Sequence, residues 1–312
     1  MAEIPVAGPP VVSLLPAATE IICALGAADR LVAVSHECDY PDIVRGLPRV
    51  TRTRMALDGP GPEIHDRVRD LVERGLAIYE VDADALKCLS PEVIVTQTQC
   101  EVCAASPDDL KRALGDWLGV PPQVVSLEAL TLDGIWADMR AVGAALGLTD
   151  AADALVGRLN GRISALRDRA MASGRRPRVG VLEWMAPPMA GGNWMPELLQ
   201  RAGCEPAWGR AGEHSPWLTP EDIRNADPEI LVVIPCGYTI DRTLAESGAL
   251  TNLEIWPDLR AVRDGRVYIA DGNAYFNRPG PRVVESIEIL LDMVHGAGKA
   301  DSPAGEGWIR LK

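Results

Sequence analysis

The stretch Leu86–Gln97, "LKCLSPEVIVTQ", decides the fold because the chain writes it twice; Ile223–Ile234 reads "IRNADPEILVVI". Each copy has a helix end, one polar residue, Pro-Glu and then an unbroken apolar run. Proline cannot continue a helix and pushes the residue before it out of the helical region, so Ser90-Pro91 and Asp227-Pro228 punctuate a helix-to-strand step. An apolar run without alternation fits a strand covered on both faces, as in a parallel sheet. The echo predicts two lobes of similar build.

Reading outward, "VVSLL" (Val11–Leu15) and "LVAVS" (Leu31–Ser35) are further short strands, with a helix from Pro16 between them. Pro62–Gly75 carries Ile64, Val68, Leu71 and Val72 at helical spacing and predicts an amphipathic helix. "AIYEVD" and "QVVSL" read as strands, and "PDDLKRALGDWLG" as a helix. Strands alternating with helices imply βαβ units. From Asp133 to Ser173 the periodicity is helical throughout, with no proline; Gly147–Thr149 divides it, and the second helix is long. Alternation resumes at "RVGVLEW" (Arg178–Trp184), "EILVVIP" (Glu229–Pro235) and "RVYIAD" (Arg266–Asp271), and Pro281–His295 is a closing helix. The expected fold class is α/β: two Rossmann-like lobes with mainly parallel sheets joined by a long backbone helix. The expected divisions are residues 1–148 for the N-terminal lobe, 149–176 for the helix, 177–296 for the C-terminal lobe and 297–312 for a loop-like tail.

At 312 residues the chain exceeds the size at which one core stops growing, which agrees with two lobes. A net charge of -13 argues against DNA, RNA or an anionic membrane as the main partner. "MAEIPVAGPPVVSLLPAATE" shows no signal-peptide pattern, and no apolar run is long enough for membrane insertion. Seven cysteines, an odd number, fit reduced thiols. The expected location is cytoplasmic as the sequence stands, and periplasmic or extracellular if a signal peptide has been trimmed.

Loops at the carboxyl ends of parallel strands gather on one side and usually hold the site. In the first lobe these are "HECDYP" (His36–Pro41) and "TQCEVCAAS", with Arg49, Arg52 and Arg54 between them. In the second, "LEWMAPPMAGGNW" carries Glu183, Trp184 and Trp194, "EHSPWLTPED" carries Trp217, and "DGNAYFNRPGPR" carries Tyr275, Phe276, Asn277, Arg278 and Arg282. Six of the 14 aromatics fall in or beside these loops, which suits a bulky organic ligand. Arg52, Arg54, Arg278 and Arg282 read either as forks for a carboxylate or phosphate, or as solvated surface charge. No nucleophile elbow, P-loop or H-E-x-x-H pattern is present, so the chain reads as non-enzymatic.

"VVSLLPAATEIICALG…LVAVSHECDYP", "LSPEVIV", the long middle helix and "PWLTPEDI…DPEILVV" resemble the helical-backbone class of ABC-importer substrate-binding proteins, with the cobalamin-binding subgroup nearest. The likeness runs from about Val11 to His295. It implies a bulky metal-bearing ligand held in a cleft between two lobes: cobalamin or another corrinoid first, haem or a ferric siderophore as the alternative. It places Tyr40, Trp217 and Phe276 at the subgroup's aromatic contacts. It also places Asp84 and Glu221 where acidic residues dock onto an ABC permease. The sequence departs from the family pattern in four places. Thr, Arg and Gln stand near Thr51–Arg54 and Thr98–Gln99 where the family has tryptophans; Ala274 stands where it has an aspartate; and about Ala56 to Leu76 is extra.

His36-x-Cys38 and Cys100-x-x-Cys103 fall on two loops at one sheet edge. Cys₃His is a tetrahedral recipe for zinc or iron. A redox pair and plain buried thiols are the other readings. Cobalt in a corrinoid accepts imidazole or thiolate, so the cluster could touch the ligand's metal. A third reading of the whole chain is a cytosolic Cys/His metal-site protein or enzyme on a borrowed scaffold. Cys23, Cys88, Cys204, Cys236 and Trp136 read as core.

Overall fold

The computed structural model describes residues 8–56, 58–73, 78–97, 110, 115, 120–296 and 307–311. The chain forms two compact units: Met1–Gly59, Glu63–Ala129 and Asp133–Gly157 in the first, Pro60–Pro62, Leu130–Leu132 and Arg158–Lys312 in the second.

In the first unit, β1 (Val11–Ser13), β2 (Leu31–Val34), β5 (Val93–Gln97) and β6 (Gln123–Leu127) form a four-stranded parallel sheet in the order β2-β1-β5-β6. Val12, Ala33 and Ile94 are fully buried and join Val50, Leu86 and Leu110 in one core, which is why these strands read as unbroken apolar runs. Helix α1 (Pro16–Ala24) follows β1, with proline in its first turn. Helix α2 (Gly61–Glu73) forms where the periodicity predicts it. The strand expected in "AIYEVD" also forms, as β4 (Tyr79–Val81). It lies outside the parallel sheet, paired antiparallel with β3 (Thr51–Thr53) in a two-stranded ribbon. Single-strand patterning does not encode the partner.

Helices α4 (Leu132–Ala145) and α5 (Thr149–Ala172) meet at Gly147, whose φ of +67° is the left-handed turn only glycine makes cheaply. The division between units falls inside α5, after Gly157.

The second unit has β7 (Arg178–Met185), β10 (Ile230–Val233) and β11 (Val267–Ala270) in parallel, with helices α6 (Met195–Arg201), α7 (Pro220–Ala226), α8 (Ile240–Ala245), α9 (Gly248–Thr251) and α10 (Arg260–Arg263) among them. It is extended by β8 (Pro188–Ala190), β9 (Glu205–Pro206) and β12 (Trp308–Arg310), in the order β12-β11-β10-β7-β8 with β9 on β7. Residues 307–311 of the tail read as loop, yet Trp308–Arg310 is an antiparallel edge strand on β11, with Trp308 edge-on to Tyr268 at 5.4 Å. A three-residue strand has too little pattern to be seen in sequence.

The echoed segments repeat in detail. Helices α3 (Ala83–Leu89) and α7 (Pro220–Ala226) are capped by the side chains of Asp82 and Thr219, which accept from Ala85 and Asp222 backbone N–H groups. They end at Ser90 (φ 44°, ψ 53°) and Asp227 (φ 37°, ψ 63°), each returning its N–H to the carbonyl four residues back. Proline follows both, then β5 or β10. Trp136 and Cys204 are buried as expected. Cys88 and Cys236 are exposed, contrary to expectation: Cys88 lies on the solvent side of α3, and Cys236 sits in the turn after β10. Cys23 is half-buried.

Candidate functional site

In the first unit the loop leaving β2 is built on a chain of short polar side chains. Thr19 donates to Ser13 Oγ at 2.8 Å and lies 3.1 Å from Cys38 Sγ. Thr51 donates to Ser35 Oγ at 2.9 Å. The Arg49 guanidinium donates to the Ser35 and Cys38 carbonyls at 3.0 and 2.8 Å, so one side chain pins both ends of the loop. Thr51 Oγ1 also accepts the His36 backbone N–H at 3.0 Å and sits 2.7 Å from His36 Nδ1. A hydroxyl has one hydrogen and two lone pairs. The one hydroxyl thus fixes both the backbone and the ring of His36, while Nε2 is buried and without a hydrogen-bond partner among the described residues. Tyr79 stacks edge-on against His36, ring centroids 5.0 Å apart, and donates to Glu37 at 2.5 Å.

Burial holds the His36 pKa below 6.5; Glu37 opposes this and Arg49 adds to it. The unfolded chain therefore takes up the His36 proton before the folded one does. The stability from neutral His36 is fully present above pH 6.5 and is lost as pH falls below that value. His36→Gln is expected to flatten this part of the stability curve between pH 7 and pH 5, read by urea unfolding; a slope unchanged in the variant counts against it.

Cys38 is buried and turned toward Thr19, and Tyr40 is exposed. Arg52 is exposed and meets the Glu80 carboxylate with two nitrogens, each at 3.1 Å. Arg54 is half-buried. Cys100 and Cys103 lie outside the described residues. Among the described residues no three His, Cys, Asp or Glu side chains converge to hold a metal ion. Asp84 and Glu221 are both exposed in the first turns of α3 and α7, with Glu221 3.0 Å from Arg224.

In the second unit the Glu183 carboxylate, buried on β7, accepts the Ser215 hydroxyl at 2.5 Å and the Gly192 N–H at 3.1 Å. It ties β7 to the Gly192 and Ser215 loops. Trp184 is edge-on to Tyr238 at 5.3 Å, and the Arg242 guanidinium lies 4.0 Å above the Tyr238 ring. Burial and the neighbouring Glu246, set against Arg242, push the Tyr238 hydroxyl up to about 12. A pocket of about 10 Å³, lined in part by Trp184, Pro235, Tyr238 and Glu246, has room for one water at the carboxyl ends of β7 and β10. Trp194 is buried and donates to the Phe276 carbonyl at 2.8 Å. Phe276 is 1% exposed, with φ 49°. Asn277 donates to the Ile234 and Gly272 carbonyls, and Arg278 is buried against Asn273. Trp217 is 54% exposed and its backbone bridges to Met189.

Thus the structure joins His36 to Cys38 through shared loop contacts in the first unit. In the second it joins Glu183 to the Gly192 and Ser215 loops, and Trp194 to the Phe276 backbone. Sequence reasoning missed Tyr79, Tyr238, Arg242 and Glu246. Tyr79 lies within an expected strand, and its ring packs edge-on against His36. The other three lie in and after the turn that leaves β10, and "PCGYT" was the available signal.

Two α/β units of repeated build, with a long helix in the chain between their sheets and loops ordered at the strand carboxyl ends, define the helical-backbone class of substrate-binding protein. A family model described as periplasmic binding protein matches residues 11–274, and the chain belongs to that family. The family consists of binding proteins, not enzymes. The chain is 24% identical over 292 residues to YvrC, an uncharacterized ABC transporter substrate-binding lipoprotein of Bacillus subtilis strain 168, covering 91% of this chain and 79% of that one. Its fold is similar to a periplasmic heme-binding protein from Pseudomonas aeruginosa (20% identity, TM-score 0.70, 93% of this chain and 94% of that one). It is also similar to the periplasmic vitamin B12-binding protein BtuF of Vibrio cholerae (20% identity, TM-score 0.66, 93% and 98%).

Proposed function

We propose that this protein binds a bulky metal-bearing organic molecule outside the cytoplasm and hands it to an ABC permease. The first ligand is cobalamin or another corrinoid. Haem and ferric siderophores are supported equally by the fold, since heme-binding, vitamin B12-binding and Fe3+-hydroxamate transport proteins all resemble it. The observation that carries the reading is exposure. Trp217 and Tyr40 sit 54% and 46% exposed on carboxyl-edge loops, although apolar rings are normally covered. "CDYP" and "SPWLTPED" are also the segments that resemble the cobalamin subgroup's ligand loops. The location outside the cytoplasm is supported by the lipoprotein relative.

The test is calorimetric titration with hydroxocobalamin, hemin and a ferric siderophore in parallel. Micromolar or tighter binding of one of them, about -8 kcal/mol or better, supports the reading, and no heat with any of the three overturns it. Trp217→Ala is expected to weaken the bound ligand by about 10- to 100-fold, on the order of 1–3 kcal/mol for one stacked ring, while the ligand-free protein melts unchanged. Asp84→Lys with Glu221→Lys is expected to abolish ligand uptake through the permease with ligand affinity intact. Uptake at the parent rate by the double variant would remove both residues from the docking role.

A further inference from the structure

The amino-terminal edge of the second unit's sheet gathers positive charge that no single stretch of sequence displays. Arg175, Arg176 and Arg178 lead into β7. Arg260 and Arg263 lie on α10 (Arg260–Arg263), Arg266 precedes β11, and Arg310 ends β12 opposite Tyr268. Among the described residues the same edge holds five carboxylates: Glu205, Asp227, Glu229, Asp258 and Asp264. Seven arginines against five acids leave the edge near +2, in a chain whose total is -13.

The pairing shows which arginines carry that excess. Arg175 and Arg260 share one Glu229 carboxylate, at 3.6 and 3.2 Å, and Arg260 also meets Asp264 at 3.6 Å. Arg178, Arg266 and Arg310 spend their donors on backbone carbonyls, those of Ala226, Val294 and Gly265. A carbonyl fixes a guanidinium without cancelling its charge. Arg176 and Arg263 are exposed and form no ion pair among the described residues. Met171, in the last turn of α5, is 65% exposed nearby in sequence. The guanidiniums are spread along a sheet edge and anchored by main chain, and so do not converge on a point as a small-anion site does. A broad, shallow anionic surface is their complement.

We infer that this edge is an interaction surface for anionic phospholipid headgroups, independent of the ligand site. Net charge alone argues the opposite, and screening decides between them. At 0.1 M salt the Debye length is about 10 Å, so the membrane meets the edge while acids farther away are screened; at 0.01 M it is about 30 Å and those acids repel. Binding should therefore peak at intermediate ionic strength. It should weaken both at about 0.01 M and at about 1 M salt, where the screening length falls to about 3 Å.

The test is co-sedimentation of the full chain with phosphatidylcholine vesicles with and without phosphatidylglycerol, across that salt range. Expected are binding only with phosphatidylglycerol, a maximum near 0.1 M, and a loss of about 100-fold in Arg175→Ala/Arg176→Ala/Arg263→Ala, roughly fivefold per arginine near the surface. Lysine at the same three positions should keep the binding. Arg45→Ala/Arg69→Ala/Arg210→Ala lowers total charge equally from exposed sites elsewhere and should bind more than tenfold better than the edge variant. Four outcomes overturn the inference: no vesicle binding at 0.1 M, equal losses in the two triple variants, full binding by the edge variant, or binding to soluble polyglutamate but not to vesicles.

Discussion

Phe276→Ala is expected to cost the ligand-free protein about 3–5 kcal/mol of stability, as for other fully buried aromatic rings. The side chain is 1% exposed, and its backbone carbonyl accepts the Trp194 indole N–H. Its φ of 49° is a region where a Cβ is strained. Phe276→Gly loses the same ring but relieves that strain, so it should be about 1 kcal/mol more stable than Phe276→Ala. Chemical unfolding of both variants without ligand checks the order. The sequence resemblance assigned Phe276 to ligand contact. A variant of normal stability but weak binding would favour that role, whereas the structure makes it a core residue that sets the course of the Tyr275–Arg278 loop.

Gly192→Ala is expected to be about as costly, about 3 kcal/mol or more, because nothing soft stands in its way. A Cβ there would meet the Ser215 backbone nitrogen at 2.5 Å and Cα at 2.6 Å. The Gly192 N–H and the Ser215 hydroxyl both donate to the buried Glu183 carboxylate. Pushing the two loops apart therefore clashes with backbone and also strips a buried charge of a partner. Ser215→Ala removes only one donor and should cost about 1.5–3 kcal/mol, the worth of a hydrogen bond to a charged group. Urea unfolding of the three proteins checks the ranking. Ser215→Ala losing as much as Gly192→Ala would mean that the hydroxyl, and not the close backbone approach, holds these loops together.

Much of the fold was legible along the chain. Pro91 and Pro228 marked two helix-to-strand steps, and the structure repeats them to the same left-handed cap residue. Unbroken apolar runs marked the central strands because both faces are covered. Gly147 marked the break between α4 and α5. What escaped was pairing: β4 joins β3 and not the main sheet, and Trp308–Arg310 joins β11, since a three-residue strand carries no readable period. The sequence named the candidate site's loops and residue types but not the burial of each side chain. Tyr40 and Trp217 are exposed rings, but Phe276, Trp194 and Arg278 are buried, because burial of a loop side chain depends on segments far away in sequence.

By itself the sequence determined the α/β class and the two-fold repetition, because proline punctuation and apolar runs act within a few residues; the family came from the resemblance of longer segments. It also determined the total charge. Only the tertiary structure decided where that charge goes. Residues 175–178, 260–266 and 310 are scattered in the chain, and parallel strands bring their ends to one edge, where carbonyls hold the guanidiniums without neutralising them. The same holds for His36: its residue type and loop could be read directly, but the Thr51 hydroxyl that meets both its backbone N–H and its Nδ1 comes from fifteen residues on.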